Sequence, residues 1–138
     1  MQKWLITNTK QCLCGYNSYR FERVEIAKLL LQRGANPMVH NDNCFTPLHL
    51  AARRGHLELC SLLLKDSRVQ VNSLNQGNFS PFHMACLGGN REVCELLLKR
   101  GADITHKSTI GLFPLKIAAW KGYEEICQLL IETGNLSL

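Results

Sequence analysis

The chain has 138 residues, a formal net charge of +5, 46% hydrophobic residues and 20% charged residues. These values are typical of a folded, soluble protein, and the length suits one domain or a short array of repeats. No stretch approaches the roughly 18 consecutive apolar residues of a transmembrane helix, so we expect no membrane insertion. The mild positive charge favours an acidic partner surface but does not by itself indicate nucleic acid.

Residues 1–20 contain at most three consecutive apolar residues, so we expect no secretory signal in them. The chain has seven cysteines, an odd number. Cys60, Cys94 and Cys127 fall at matching places in apolar segments, where a free thiol behaves as a small hydrophobic side chain. We therefore expect all the cysteines to be reduced and the protein to be cytoplasmic or nuclear.

The first predicted helix covers residues 24–31, ahead of Gly34. Residues 11–20 before it contain no proline, no histidine and no pair of alanines, unlike the corresponding regions further along. We interpret residues 1–20 as an N-terminal segment or a degenerate half-repeat. Residues 21–40 are then a unit that keeps only its second helix.

One motif then occurs three times, with Pro47, Pro81 and Pro114 separated by 34 and then 33 residues. Such a fixed period is the signature of a repeat protein. In the first two copies, Thr46 and Ser80 supply a side-chain oxygen that can cap a helix beginning at the proline. We therefore predict a short helix after each of these positions.

A glycine ends each of these helices, because Gly55, Gly89 and Gly122 stand where a left-handed residue is favoured. A second helix follows, with acidic residues at its start and basic residues near its end, as the helix dipole favours. The polar stretches between repeats are predicted to project as hairpin tips: residues 41–45, 75–79 and 108–112.

His49 and His83 lie three residues after the capping residue in their repeats. We interpret them as structural histidines that form hydrogen bonds near the start of the helix, and not as catalytic groups. The last repeat has Phe113 and Lys116 where the others have the capping residue and the histidine. We expect it to lose the cap and to be less stable.

The 33-residue period with Thr-Pro-Leu-His resembles the ankyrin repeat over about residues 21–138. The resemblance implies an all-α fold, an ankyrin-repeat solenoid of helix-turn-helix units with projecting β-hairpin tips. It also implies a protein–protein interaction module, a scaffold or adaptor that is not an enzyme. The predicted units cover residues 21–40, 41–74, 75–107 and 108–138.

Metal binding and catalysis are less favoured. Cys12 and Cys14 form one close pair, whereas a structural zinc site needs two such pairs. Cys86 stands where the other repeats have Ala52 and Ala119, so it is interpreted as a packing residue. We expect no catalytic residues, no metal site, no cofactor and no small-molecule substrate.

Repeat proteins bind partners on an extended surface made of matching positions, and the resemblance implies that tips and exposed ends of the first helices form it. The candidate partner-binding residues are Phe45, Arg53, Arg54, Phe79, Leu87, Lys107, Leu112, Trp120 and Lys121. The two phenylalanines and Leu112 share one position in three repeats and form a row. This row is either an exposed contact site or a half-buried line packed against the neighbouring tips.

Trp120 and Arg53 are residue types enriched in interface hot spots, and basic residues outnumber Asp42 on this surface. We therefore predict a partner protein that offers an acidic and apolar segment. Direct nucleic-acid binding is less favoured, because the basic residues form no run and few aromatic residues lie among them. A regulatory factor associated with nucleic acid or chromatin, directly or through a partner, is the alternative.

Overall fold

The computed structural model describes residues 20–38, 40 and 42–134. Over these residues the chain forms seven helices and no strand. The helices are α1 (Arg20–Gln32), α2 (Pro47–Arg54), α3 (Leu57–Lys65), α4 (Pro81–Gly88), α5 (Arg91–Lys99), α6 (Pro114–Lys121) and α7 (Glu124–Gly134). The predictions for residues 1–19, among them the half-repeat and the Cys12–Cys14 pair, lie outside the described residues. None of the helices described is both long enough and apolar enough to cross a membrane.

The helices pack in two layers along a stack. The first helices of the repeats, α2, α4 and α6, lie side by side in one layer, and α1, α3, α5 and α7 form the other. Ala51, Ala85 and Ala118 are fully buried in the first layer, where small side chains let neighbouring helices approach closely. Gly88 reflects the same constraint, since a Cβ at this position would overlap the carbonyl oxygen of Arg53. The predicted all-α repeat solenoid is confirmed.

Reciprocal hydrogen bonds cap α2 and α4. Thr46 Oγ1 accepts a hydrogen bond from the backbone N–H of His49, and His49 Nδ1 accepts one from the backbone N–H of Thr46. Ser80 and His83 repeat this arrangement. Capping of this kind typically stabilises a helix by about 1 kcal/mol. The predicted caps are therefore confirmed, and both histidines take part in them.

The predicted ends of the first helices are also observed. Gly55, Gly89 and Gly122 follow α2, α4 and α6 with φ angles of +74°, +72° and +78°, which lie in the left-handed region. The second helices α3, α5 and α7 have acidic residues in their first turns, at the positive end of the helix dipole.

Two of the predicted tips, residues 75–79 and 108–112, are tight turns, whereas the tip at residues 41–45 lies partly outside the described residues. The Asn75 N–H donates to the carbonyl oxygen of Phe79, and the Ser108 N–H donates to that of Leu112, each at 3.0 Å. Two more backbone hydrogen bonds join neighbouring tips. One connects the first tip to the second at 3.0 Å, and the other connects the second to the third at 2.9 Å. Because the bonds within the tips close turns of only five residues, these two tips are hairpin-like without forming strands in the described residues.

The last repeat differs at the start of its first helix. Phe113 occupies the capping position of α6 and makes no side-chain hydrogen bond there. Lys116, at the position of the histidines, is exposed to solvent. The predicted loss of the cap is therefore confirmed, and the lower stability of this repeat stays a prediction.

Candidate functional site

The candidate site is the tip face, which we define as the tips together with the exposed ends of α2, α4 and α6. Arg53 and Arg54 lie at the end of α2, and Trp120 and Lys121 lie at the end of α6, all of them exposed. Leu87, at the position of Arg53 and Trp120, is partly buried in α4. Because the three helices pack side by side, these positions line up across the face.

Trp120 is the most exposed large hydrophobic side chain in the described residues, with 79% of its surface accessible. The ammonium group of Lys121 lies 5.2 Å from the centroid of its ring. Ile110, in the tip of the same repeat, is 74% exposed. The last repeat therefore contributes the two most exposed large hydrophobic side chains of the described residues.

The row of Phe45, Phe79 and Leu112 is partly buried and packs against the core. The Phe45 ring stands edge-on to His49 with centroids 5.8 Å apart, and the Phe79 ring does the same to His83 at 5.6 Å. The row therefore matches the half-buried alternative, in which these side chains hold the tips against the first helices.

The two histidines connect each repeat to the next. His49 Nε2 lies 2.9 Å from the carbonyl oxygen of Phe79, and His83 Nε2 lies 3.1 Å from that of Leu112. Because Nδ1 of each ring accepts a backbone N–H of its own repeat, the ring proton must be on Nε2, which donates to the carbonyl. Burial lowers the pKa of both imidazoles below the usual 6.5, because desolvation disfavours the charged form.

One group of residues at the last tip is not evident from the sequence. Two ammonium groups approach the ring of Phe113: Lys107 Nζ lies 4.9 Å from its centroid and Lys116 Nζ lies 5.8 Å from it. The sequence places Lys107 on the tip face and indicates only a lost cap at Phe113 and Lys116. The sequence does carry a signal for this cation–π contact. In place of the capping pair, the last repeat has an aromatic residue and a lysine three positions apart.

The buried thiols are unsuited to nucleophilic chemistry. Burial raises the pKa of the Cys60 thiol to about 12. The side-chain hydrogen bond to Cys94, and then burial, raise the pKa of the Cys86 thiol. Both side chains stay protonated at neutral pH, and a thiolate is the reactive form. Over residues 20–38, 40 and 42–134, no three His, Cys, Asp or Glu side chains are grouped so as to hold a metal ion.

The repeat geometry agrees with a comparison of sequences. The model of a family described as ankyrin repeats, in three copies, matches residues 16–108, which is more than half of the chain. The chain belongs to the ankyrin-repeat family. The match ends where the last ankyrin repeat begins, the repeat in which Phe113 and Lys116 replace the capping pair.

Two human proteins are similar to parts of this ankyrin-repeat chain. Transient receptor potential cation channel subfamily A member 1 is 33% identical over 113 residues, which are 82% of this chain and 10% of that protein. Ankyrin repeat and SOCS box protein 3 is 44% identical over 55 residues, which are 37% of this chain and 11% of that protein. The chain thus spans about a tenth of the length of these relatives. Ankyrin repeats are generally protein-interaction modules, and the family is typically not enzymatic.

Proposed function

We propose that the ankyrin repeats of this chain act as a scaffold that holds a partner protein on the tip face. The observation that carries this proposal is Trp120, a tryptophan 79% exposed at the end of the layer of first helices. Large aromatic side chains that fill a pocket on a partner contribute much of the binding free energy in interfaces. Trp120 has Lys121 beside it and lines up with Arg53, so it combines an apolar anchor with positive charge.

The charges of the tip face favour a partner segment that is both acidic and apolar. Arg53, Arg54, Lys107 and Lys121 are exposed, and none of them forms an ion pair with an acid in the described part of the chain. Asp42 is the acid that we place on this face. Acids in the first turns of α3, α5 and α7 instead lie on the other layer. Such complementarity raises the association rate and selects against basic partners.

Affinity capture from a cell lysate tests this proposal when it compares variants of the two faces. Trp120→Ala and Arg53→Ala should each lower retention of the partner about tenfold or more. The matched controls are Leu29→Ala, an exposed leucine of α1, and Lys99→Ala, an exposed lysine of α5. Both controls should retain the partner, and all four variants should melt within a few degrees of the unmodified chain. Equal retention by the tip-face variants and the controls would contradict the proposal.

Nucleic acid is the alternative partner class, since the tip face is basic. Contacts with phosphates give an affinity that falls steeply with salt concentration, by roughly one power of the salt concentration for each phosphate neutralised. A salt titration of binding to duplex DNA therefore separates the two classes. A steep slope that Arg53→Ala makes shallower would favour nucleic acid over a protein partner.

The proposal includes a reducing compartment, either cytosol or nucleus. It is supported by Cys60, Cys86 and Cys94, which are free thiols fully buried in the packed layers. Alkylation of the chain in intact cells, followed by mass spectrometry, would report these cysteines as thiols. Cysteines recovered mainly as disulfides would contradict this part of the proposal.

A further inference from the structure

The position before the last residue of each first helix recurs in three repeats and forms a row across the tip face. We name it the anchor row, which consists of Arg53, Leu87 and Trp120. Arg53 and Trp120 are exposed, and Leu87 is partly buried. Arg53 is exposed although two repeats follow it along the stack. This position therefore faces solvent within the stack and not only at its end.

The last residue of each first helix forms a second row beside the anchor row. We name it the charged row, which consists of Arg54, Gly88 and Lys121, all of them exposed. Neither Arg54 nor Lys121 forms an ion pair with an acid in the part of the chain that the structure describes. Gly88 has no side chain, so the backbone of a bound segment can approach the helices at the centre of the row.

We propose that the partner segment crosses the tip face in a polyproline II conformation, with the side chain of every third residue on the anchor row. This inference rests on the proposed function, because it names the shape and the sequence spacing of the segment that the tip face holds. An acidic side chain of the segment pairs with Arg53, and two apolar side chains pack on Leu87 and Trp120. Acidic residues that directly follow the first and the last of these three pair with Arg54 and Lys121.

The spacing of the first helices carries this proposal. Packed helices have their axes about 8–10 Å apart. The fully buried Ala85, and Gly88 against the backbone of α2, keep α2 and α4 close together. A polyproline II segment completes one turn in three residues and about 9.3 Å. The side chains of its residues i, i+3 and i+6 therefore lie on one face and recur with the period of the helices.

Other backbone conformations match the anchor row less well. In a β-strand the side chains on one face recur every two residues, or about 6.7 Å, so they lose register with the second helix. An α-helix returns to the same face after seven residues, or about 10.5 Å, which exceeds the spacing of closely packed helices. Polyproline II segments also bind to grooves lined by aromatic side chains, and Trp120 is 79% exposed.

Two fluorescein-labelled peptides of identical composition test the proposal. The first, Asp-Glu-Pro-Leu-Pro-Pro-Leu-Glu, has its three contact residues spaced by three. The second, Asp-Glu-Leu-Pro-Pro-Pro-Leu-Glu, exchanges the third and fourth residues, which turns one leucine about 120° away from Leu87. By fluorescence polarisation, the chain should bind the first peptide about fivefold more tightly or better, because the second loses the burial of one leucine side chain.

Both peptides are also made in reversed order, because a polyproline II segment can lie in either direction on the row. The preference for the spacing of three is expected in at least one of the two orders. In an amide NMR titration of the unmodified chain with the preferred peptide, the largest shifts should lie at Arg53, Leu87 and Trp120.

Variants of the chain locate the preference. Leu87→Ala should reduce it to less than about twofold, because the two peptides differ in the residue that contacts Leu87. The matched control Leu29→Ala removes a leucine of α1 that is 46% exposed and should leave the preference unchanged. Circular dichroism shows whether each variant is folded, and the NMR map of the unmodified chain tests the same contact without a variant.

The outcomes separate this proposal from the proposed function. Equal affinity for the two peptides in both orders would overturn the spacing of three, even if Trp120→Ala abolished binding of both. Absence of binding to either peptide would overturn it as well. So would tighter binding of a helical peptide whose contact residues are seven apart. Retention of the lysate partner by Trp120→Ala and Arg53→Ala would instead contradict the proposed function itself.

Discussion

Replacement of His83 by alanine should destabilise the repeat stack more than any change of an exposed side chain. His83 is fully buried. Its ring accepts the backbone N–H of Ser80 at 3.2 Å and donates to the carbonyl oxygen of Leu112 at 3.1 Å. Its removal therefore takes away the acceptor of the Ser80 N–H and hydroxyl and one of the two hydrogen bonds that the Leu112 carbonyl oxygen accepts, and it creates a cavity between two repeats.

The magnitude follows from these losses. Each hydrogen bond contributes about 1 kcal/mol to stability, and the cavity left by a ring of this size adds roughly 1–2 kcal/mol. We expect His83→Ala to lower the free energy of unfolding by about 3 kcal/mol, a large share of the roughly 5–15 kcal/mol that is typical of folded domains. Urea denaturation followed by circular dichroism measures this change.

A matched variant controls for the position itself. Lys116→Ala changes the same place in the last repeat, where the side chain is exposed and makes no bond to a following tip in the described residues. It should alter the free energy of unfolding by less than about 0.5 kcal/mol. If His83→Ala were as mild as Lys116→Ala, the histidine would not be what joins the repeats.

Three further predictions concern stability. Burial lowers the pKa of His49 and His83 below 6.5, so the unfolded chain binds more protons than the folded chain at mildly acidic pH. The contribution of the two neutral histidines to stability is therefore fully present above pH 6.5 and falls as the pH drops below it. The melting temperature should decrease from pH 7 to about pH 5. Gly88→Ala should lower the free energy of unfolding by about 2–3 kcal/mol in urea, because its Cβ would overlap the backbone of α2. Cys44 has a φ angle of +63°, a left-handed conformation that disfavours a side chain. Cys44→Gly should therefore raise the free energy of unfolding by up to about 1 kcal/mol and raise the melting temperature with it.

Each of these predictions has an outcome that contradicts it. A melting temperature constant from pH 7 to about pH 5 would mean that the histidines are not held neutral by the fold, since acids whose pKa is lowered in the fold, such as Asp66, lose their contribution to stability only at more acidic pH. Lys121→Ala, at the same helical position as Gly88, should leave the stability almost unchanged. A loss as large as that of Gly88→Ala would argue against the steric explanation. If Cys44→Gly lowered the stability, packing of the thiol would outweigh the backbone strain.

The parts of the fold that depend on short stretches of chain could be predicted from the sequence. The cap of α2 involves Thr46 and His49, three residues apart, and its end depends on the backbone freedom of Gly55. Both features follow from residue types and spacing alone. The repeat period then assigned the same roles to the other copies, and the family match over residues 16–108 supports this interpretation.

Contacts between repeats were beyond the sequence pattern, because they depend on how the units stack. The carbonyl oxygen that His49 binds belongs to Phe79, thirty residues away, and no local rule identifies it. The half-buried state of the phenylalanine row depends on how closely neighbouring tips approach. The cluster around Phe113 also needed the structure, since Lys107 reaches the ring from the preceding turn.

Photo-crosslinking tests the central claim, that the tip face holds the partner, most directly. A benzophenone amino acid is placed at position 120 in one sample and at position 29, on the layer of second helices, in another. After irradiation in cells, the account predicts that the probe at position 120 forms a covalent adduct with a partner protein and that the probe at position 29 does not. Adducts formed only from position 29 would contradict the account.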